Sequence, residues 1–239
     1  MNIADRTILI TGASRGIGRA LVDEALRRGA KRVYAGTRGP LAHADARVTV
    51  VKLDVTSAAD IQRAVASIDT LDVLVNNAGI APYDDLTDPE VLERTFAVNL
   101  FGMLNVTRAI LPLLKCSRGA VVNHLSMVAL AALPLIPAYS ISKAAALNLT
   151  QSLRALLAGD GVRVHGVVLR PVDTDRNRGL DIPKATTECA AYGIFDGLER
   201  GEDDIFPDPV SRSVADGWRN GAAKALERHF AAFVPGDAA

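Results

Sequence analysis

Three side chains in this sequence are spaced so that they could move a proton: Ser126, Tyr139 and Lys143. Tyr139 and Lys143 stand at i and i+4, so on a helix they share one face, with Cβ atoms roughly 5–6 Å apart. An ammonium placed there lies beneath the phenol and favours its ionised form, lowering a pKa that is otherwise about 10. Such a phenol works as an acid or a base close to neutral pH, and Ser126 adds a hydroxyl able to hold a substrate oxygen. Because Y-x-x-x-K also occurs in ordinary helices, the surroundings must decide whether the spacing carries chemistry.

The elements that would position these residues are legible as apolar, β-branched runs at Thr7 to Thr11, Arg32 to Ala35, Val48 to Leu53, Asp72 to Val75, Ala120 to Leu125 and Val162 to Leu169. Helical stretches separate most of them. Strands with little polar alternation, joined by helices, predict a parallel sheet covered on both faces. That is the doubly wound, Rossmann-like α/β class, with about seven strands once a short one near Asp204 to Phe206 is included, and its ligands sit at the carboxyl ends of the strands. Only Gly39 to Arg47 lies between the second and third runs, too little for a crossover helix of about a dozen residues, so a loop or a single turn is expected there.

Length and composition fit one domain over residues 1–239 with a sizeable core, 49% of the residues being hydrophobic. The 27 basic and 27 acidic residues form no long block of one sign, which argues against nucleic acid or an anionic membrane as partner and for small-molecule chemistry. Cys116 and Cys189 lack metal-ligand or disulfide-framework spacing; buried, reduced thiols and no metal site are expected. The chain enters a strand directly after Met1 to Arg6, and its longest apolar run, Val128 to Ala138, is interrupted by Pro134 and Pro137. A soluble cytoplasmic protein without a membrane span is the expectation.

The first strand runs into Thr11-Gly12-Ala13-Ser14-Arg15-Gly16-Ile17-Gly18 and then a helix. Glycines let a backbone approach a pyrophosphate, and the helix start supplies unpaired N–H groups and a favourable dipole. The second strand ends in Thr37-Arg38 where an acidic residue would bind an adenosine ribose. With Arg15, Arg38 offers two permanent cations that match a 2′-phosphate, which favours NADP(H) over NAD(H); both arginines could instead be solvated surface charges.

With T-G-x-x-x-G-x-G after the first strand and the Ser126, Tyr139, Lys143 set, the chain resembles the short-chain dehydrogenase/reductase family. The resemblance implies an oxidoreductase that interconverts a ketone or aldehyde and an alcohol. Tyr139 would be the general acid/base, Ser126 the holder of the carbonyl oxygen, and Lys143 the partner of the nicotinamide ribose. It further implies that Asp54 and the backbone N–H of Val55 hold adenine, although Asp54 could simply cap the next helix. Asn76-Asn77-Ala78-Gly79 would steady the central sheet and face the cofactor through Asn76, Ala78 and Gly79. Asn99, a mediocre interior residue in a helical region from about Asp88 to Lys115, points to a local distortion or a bound water; the resemblance implies that it orders a water chain to Lys143, the other reading being an ordinary interhelix hydrogen bond. Val172 and Thr174 would hold the carboxamide, and dimerisation through the helices carrying Asn99 and Tyr139 is implied, with a homotetramer as the alternative.

Two residues depart from the family pattern. His124 stands where an aliphatic residue is usual, and no G-x-S-x-G elbow accompanies it, so it is expected to be a buried, hydrogen-bonded histidine. Arg170 replaces a glycine and leaves three readings open: a cofactor phosphate contact, an acidic substrate, or solvent. The apolar stretch 127–138 is expected to form a hydrophobic substrate wall, residues 175–201 a mobile lid over the substrate, and Pro209 to Phe233 one terminal helix whose Val214, Trp218, Ala222, Leu226 and Phe230 stripe packs on the core. A non-catalytic NADP(H)-binding regulator on the same fold is the alternative function, since fold alone does not fix activity.

Overall fold

The structure is a computed structural model that describes residues 1–177, 179 and 181–234. Seven strands, β1 (Thr7–Thr11), β2 (Arg32–Thr37), β3 (Val48–Lys52), β4 (Val73–Asn76), β5 (Ala120–His124), β6 (Arg163–Val167) and β7 (Asp204–Ile205), form one sheet in the order β3-β2-β1-β4-β5-β6-β7. Every pairing is parallel. The order reverses between β1 and β4, so the carboxyl ends of these two strands flank the crevice where such sheets bind ligands. The β2 to β3 connection is a loop, as its length requires.

Strand alternation splits the core in two. Ile8, Ile10, Val33, Val75 and Val122 face α1 (Gly16–Arg27) and α6 (Thr187–Arg200), whereas Leu9, Leu74, Val121 and Val164 face α2 (Ala58–Ala66), α4 (Met103–Ser117) and α5 (Pro137–Leu156). Sheet residues one apart therefore serve opposite layers, which is why the strands read as unbroken apolar runs. Helical residues 89–117 comprise α3 (Pro89–Phe96), a six-residue π-helical stretch at Ala97–Gly102, and α4. By length and composition this span could cross a membrane. Here its Val106, Ile110 and Leu114 are buried on the sheet.

Three expectations are corrected. Of residues 175–201, the stretch Thr187–Arg200 is a core helix: Ala190, Ile194, Phe195 and Leu198 are buried among α1 residues. Their i, i+4, i+5, i+8 spacing is helical, but the buried Ala191, Gly193 and Gly197 between them are small, which weakens the apolar signal. The terminal region breaks at Asn220-Gly221 into α7 (Pro209–Arg219) and α8 (Ala222–Ala231), so the stripe is not continuous, and Leu226 and Phe230 are 51% and 58% exposed. Both cysteines are exposed.

Candidate active site

Helix α5 carries the central pair. Its N-cap residue, Ile136, offers no side-chain cap, and Pro137 occupies the first turn, where its missing N–H costs nothing. The cap comes from elsewhere in the chain: both carboxylate oxygens of Asp84 accept from Ala138 N–H at 3.3 Å. One turn in, Lys143 lies 3% exposed with its Nζ 5.6 Å from the Tyr139 ring centre, and that Nζ donates to the His124 carbonyl at 2.6 Å. The i, i+4 spacing thus brings ammonium and phenol together as the sequence predicts.

Asn99 lies in the π-helical stretch, the local distortion expected of it. It exchanges two hydrogen bonds with Ile80, accepting from its N–H at 2.9 Å and donating to its carbonyl at 2.8 Å, and also donates to Ser142 Oγ at 3.0 Å. Ser142 in turn donates to the Tyr139 carbonyl at 2.7 Å. Asn99 is therefore wired to the main chain of the turn that carries Tyr139 and Lys143. Ser126 follows β5 and caps a short 3-10 turn, Met127–Ala129; its hydroxyl accepts from Val128 N–H at 3.4 Å and reaches the Leu169 carbonyl at 3.5 Å, a long contact that leaves it able to serve another oxygen.

At the ends of β1 and β4 the chain is drawn tight. The Thr11 hydroxyl accepts from the N–H groups of Asn77 and Ala78, both at 3.0 Å. Gly18 can only be glycine, because a Cβ there would lie 2.1 Å from the Gly12 carbonyl oxygen and 2.6 Å from Asn77 Nδ2. Gly12 itself takes a positive φ of 67°. A Cβ on Gly79 would approach Asn99 Oδ1 to 3.3 Å and Lys143 Nζ to 3.9 Å, and one on Gly16 the Thr174 methyl to 3.3 Å. Helix α1 opens without a side-chain cap at Arg15, leaving its first N–H groups for an anion. These features form a tight backbone cradle at the carboxyl ends of β1 and β4 that could hold a cofactor phosphate.

The remaining predicted contacts surround that cradle. Ser14 and Arg15 are exposed and Ile17 half-buried. Thr37 is buried, its hydroxyl donating to the Gly39 carbonyl at 2.5 Å, while Arg38 is exposed. Asp54 accepts from Thr56 N–H and Oγ, and these bonds, opposed by burial and aided by Arg38, hold its carboxyl below its ordinary value. The helix cap it might have supplied comes from Ser57. Val55 is buried beside Gly102. Val172 is buried, and its carbonyl accepts from Asn177 Nδ2 at 2.8 Å.

Asn76 differs from its expected place beside a cofactor. Its amide is 3% exposed and donates to Thr107 Oγ1 and Asn123 Oδ1, both at 2.9 Å, so it ties β4 to β5 and α4 within the interior. The neighbouring Asn77 holds the glycine turn instead, donating to the Thr11 and Gly12 carbonyls at 3.0 and 3.2 Å. Strand alternation was the signal that could have separated the two asparagines. Ser142, standing between Tyr139 and Lys143, and Asp84 were also missed. Arg170 donates its backbone N–H to Asp208 Oδ2 at 3.3 Å, and its guanidinium makes no ion pair or hydrogen bond among the described residues.

Fold and site together define a dinucleotide-cradling α/β domain with a paired tyrosine and lysine. Residues 6–184 match the short chain dehydrogenase family model, and the chain belongs to the short-chain dehydrogenase/reductase family. It is 36% identical over 247 residues to the oxidoreductase UcpA of Salmonella typhimurium, covering 91% of this chain and 93% of that one. To the sorbitol dehydrogenase of Cereibacter sphaeroides it is 32% identical over 216 residues, covering 84% and 81%. A crystal structure of a Burkholderia cenocepacia short chain dehydrogenase in complex with NADP superposes with a TM-score of 0.87 at 36% identity, covering 98% of this chain and all of that one.

Proposed function

We propose that this protein is an NADP(H)-dependent oxidoreductase interconverting a ketone or aldehyde and an alcohol. The observation that carries the reading is the buried Lys143 ammonium beneath the Tyr139 ring, beside a cradle that excludes a Cβ at Gly18. The chemistry supplied by the cofactor is hydride transfer between nicotinamide C4 and the carbonyl carbon. Tyr139 gives its proton to the carbonyl oxygen in reduction and takes it back in oxidation, with Ser126 donating a hydrogen bond to that oxygen. Lys143 favours the ionised phenol and binds the nicotinamide ribose. Asn99 holds the proton relay through Ile80 and the α5 backbone.

The 2′-phosphate preference is supported by Arg15 and Arg38, both exposed and neither in a salt bridge among the described residues, and by the NADP-bound relative. A hydrophobic substrate is supported by Leu133 and Leu135, 41% and 64% exposed in the stretch leading to Tyr139. Of the expected cover over it, Arg178 and Leu180 lie outside the described residues. Homodimerisation through the helices carrying Asn99 and Tyr139 is supported by exposed Phe101 and Ile141.

Tyr139→Phe should lower kcat by about 10²- to 10⁴-fold, the usual worth of general acid–base catalysis, with the Kd for NADPH unchanged. NADPH oxidation followed with a panel of aliphatic and aryl ketones provides the assay. Tight NADPH binding without turnover of any ketone, or of any alcohol with NADP⁺, would favour the regulator instead.

A further inference from the structure

His124 is the last residue of β5 and serves two partners at once. Its carbonyl accepts from Lys143 Nζ at 2.6 Å, and its Nδ1 lies 3.1 Å from Asn77 Oδ1. The rest of the Asn77 side chain fixes which atom carries the hydrogen. Its Nδ2 donates to the Thr11 and Gly12 carbonyls, which can only accept, so the amide oxygen faces His124. An amide oxygen accepts, hence Nδ1 holds the proton. Burial, reinforced by Lys143, keeps the ring neutral by lowering its pKa to about 3.

The orientation of that amide matters because it lies against the glycine turn. Turned over, Asn77 would set its oxygen against two carbonyl oxygens and lose both hydrogen bonds. The space is closed, since a Cβ on Gly12 or Gly18 would meet Nδ2 at 3.2 or 2.6 Å. The imidazole N–H therefore selects the one amide orientation that grips the turn.

We infer that His124 is a positioning residue which, through Asn77, sets the glycine turn at Gly12 for the dinucleotide and couples that turn to the strand end that holds Lys143. An aliphatic residue at this position would leave the Asn77 oxygen without this donor. The inference uses the NADP(H) reading for its binding measurement only; the turn itself can be followed without ligand.

The test compares wild type with His124→Leu, His124→Asn, Asn77→Ala and the double variant carrying His124→Leu and Asn77→Ala. His124→Leu should raise amide exchange across residues 12–18 of the ligand-free protein by about 5-fold and weaken NADPH binding by about 5- to 10-fold, the scale of one net hydrogen bond. Exchange in β6 should not move. His124→Asn, which keeps an N–H near the Nδ1 position, should restore both. Asn77→Ala should loosen the turn at least as much, with the double variant no looser. Exchange and affinity unchanged in His124→Leu, or additive effects in the double variant, would overturn the inference. A wild type that fails to bind NADPH would overturn the cofactor reading, while the exchange measurement still decides the role of His124.

Discussion

Helix α5 is held by two kinds of bonding. Up to Thr150, apart from the Asp84 carboxylate at its start and the Lys143 ammonium, the bonds run between neutral groups: Asn99 to Ser142 and, in the layer beside it, Asn76 to Thr107 and Asn123, and Asn123 to Thr150. Near its end they are ionic. Arg154 bonds Asp204 at 2.8 Å and also pairs with Glu227, while Lys224 reaches Asp204 and Glu227, each at 2.9 Å. Trp218 and Gln151 donate to the same carboxylates. The Asn99 amide and the Ser142 hydroxyl hold the turn that carries Tyr139 and Lys143. The ionic end anchors α8, whose one buried residue is Lys224, so this helix is attached by charges where it lacks apolar surface to bury.

The contrast breaks most sharply at Asp204, whose side chain is 1% exposed. Asp204→Ala leaves two buried cations short of a partner and should cost about 3–5 kcal/mol in urea denaturation, with α8 exchanging first. kcat of the folded fraction should hold. A parallel loss of kcat would show that the two ends are not independent.

Acid separates them next. His165, on β6, donates from Nδ1 to the Glu202 carbonyl, and burial holds its pKa at about 4 against that bond, with Arg163 and Arg154 also lowering it. Because the folded pKa lies below the unfolded value of about 6.5, stability is complete above that value. It falls with pH as only the unfolded chain takes up the proton, by about 3 kcal/mol at pH 4. Asp204 is also depressed: burial opposes ionisation, but Arg154 and Lys224 outweigh it. Its contribution is lost later, below its unfolded pKa of about 4. Denaturation at stepped pH should show the histidine loss first, and His165→Gln should flatten the curve between pH 6.5 and 4.

A smaller effect is expected at the neutral end. Asn99→Ala removes three hydrogen bonds and should cost about 1–3 kcal/mol, yet reduce kcat more than that loss of stability explains. Equal losses would make Asn99 a packing residue only.

How far the sequence could be read follows the same division. The glycine turn, Asn99 and the tyrosine–lysine pair were legible because each is set by local spacing or by a backbone that tolerates one residue type. The loop at residues 38–47 was legible from its length. Asn77 with His124 and Asp84 with Ala138 are contacts between distant segments, for which neither spacing nor propensity gives a signal. The α7 to α8 break was hidden because Val214, Trp218, Leu226 and Phe230 keep helical spacing across Gly221. The buried face of α8 is charged, the reverse of what an apolar stripe predicts.

The wide turn at Ala97–Gly102 also bears on how this chain can change its length. A π-helical stretch accommodates a residue that a regular helix would exclude. Deleting one residue there would close the helix into continuous α geometry and rotate one side of it by about 100° relative to the other, carrying Asn99 out of register with either Ile80 or Ser142. Single-residue deletions should be rejected between Ala97 and Gly102, although the same change in the loop around Gly39, where a Cβ would meet nothing within 4 Å, should be absorbed.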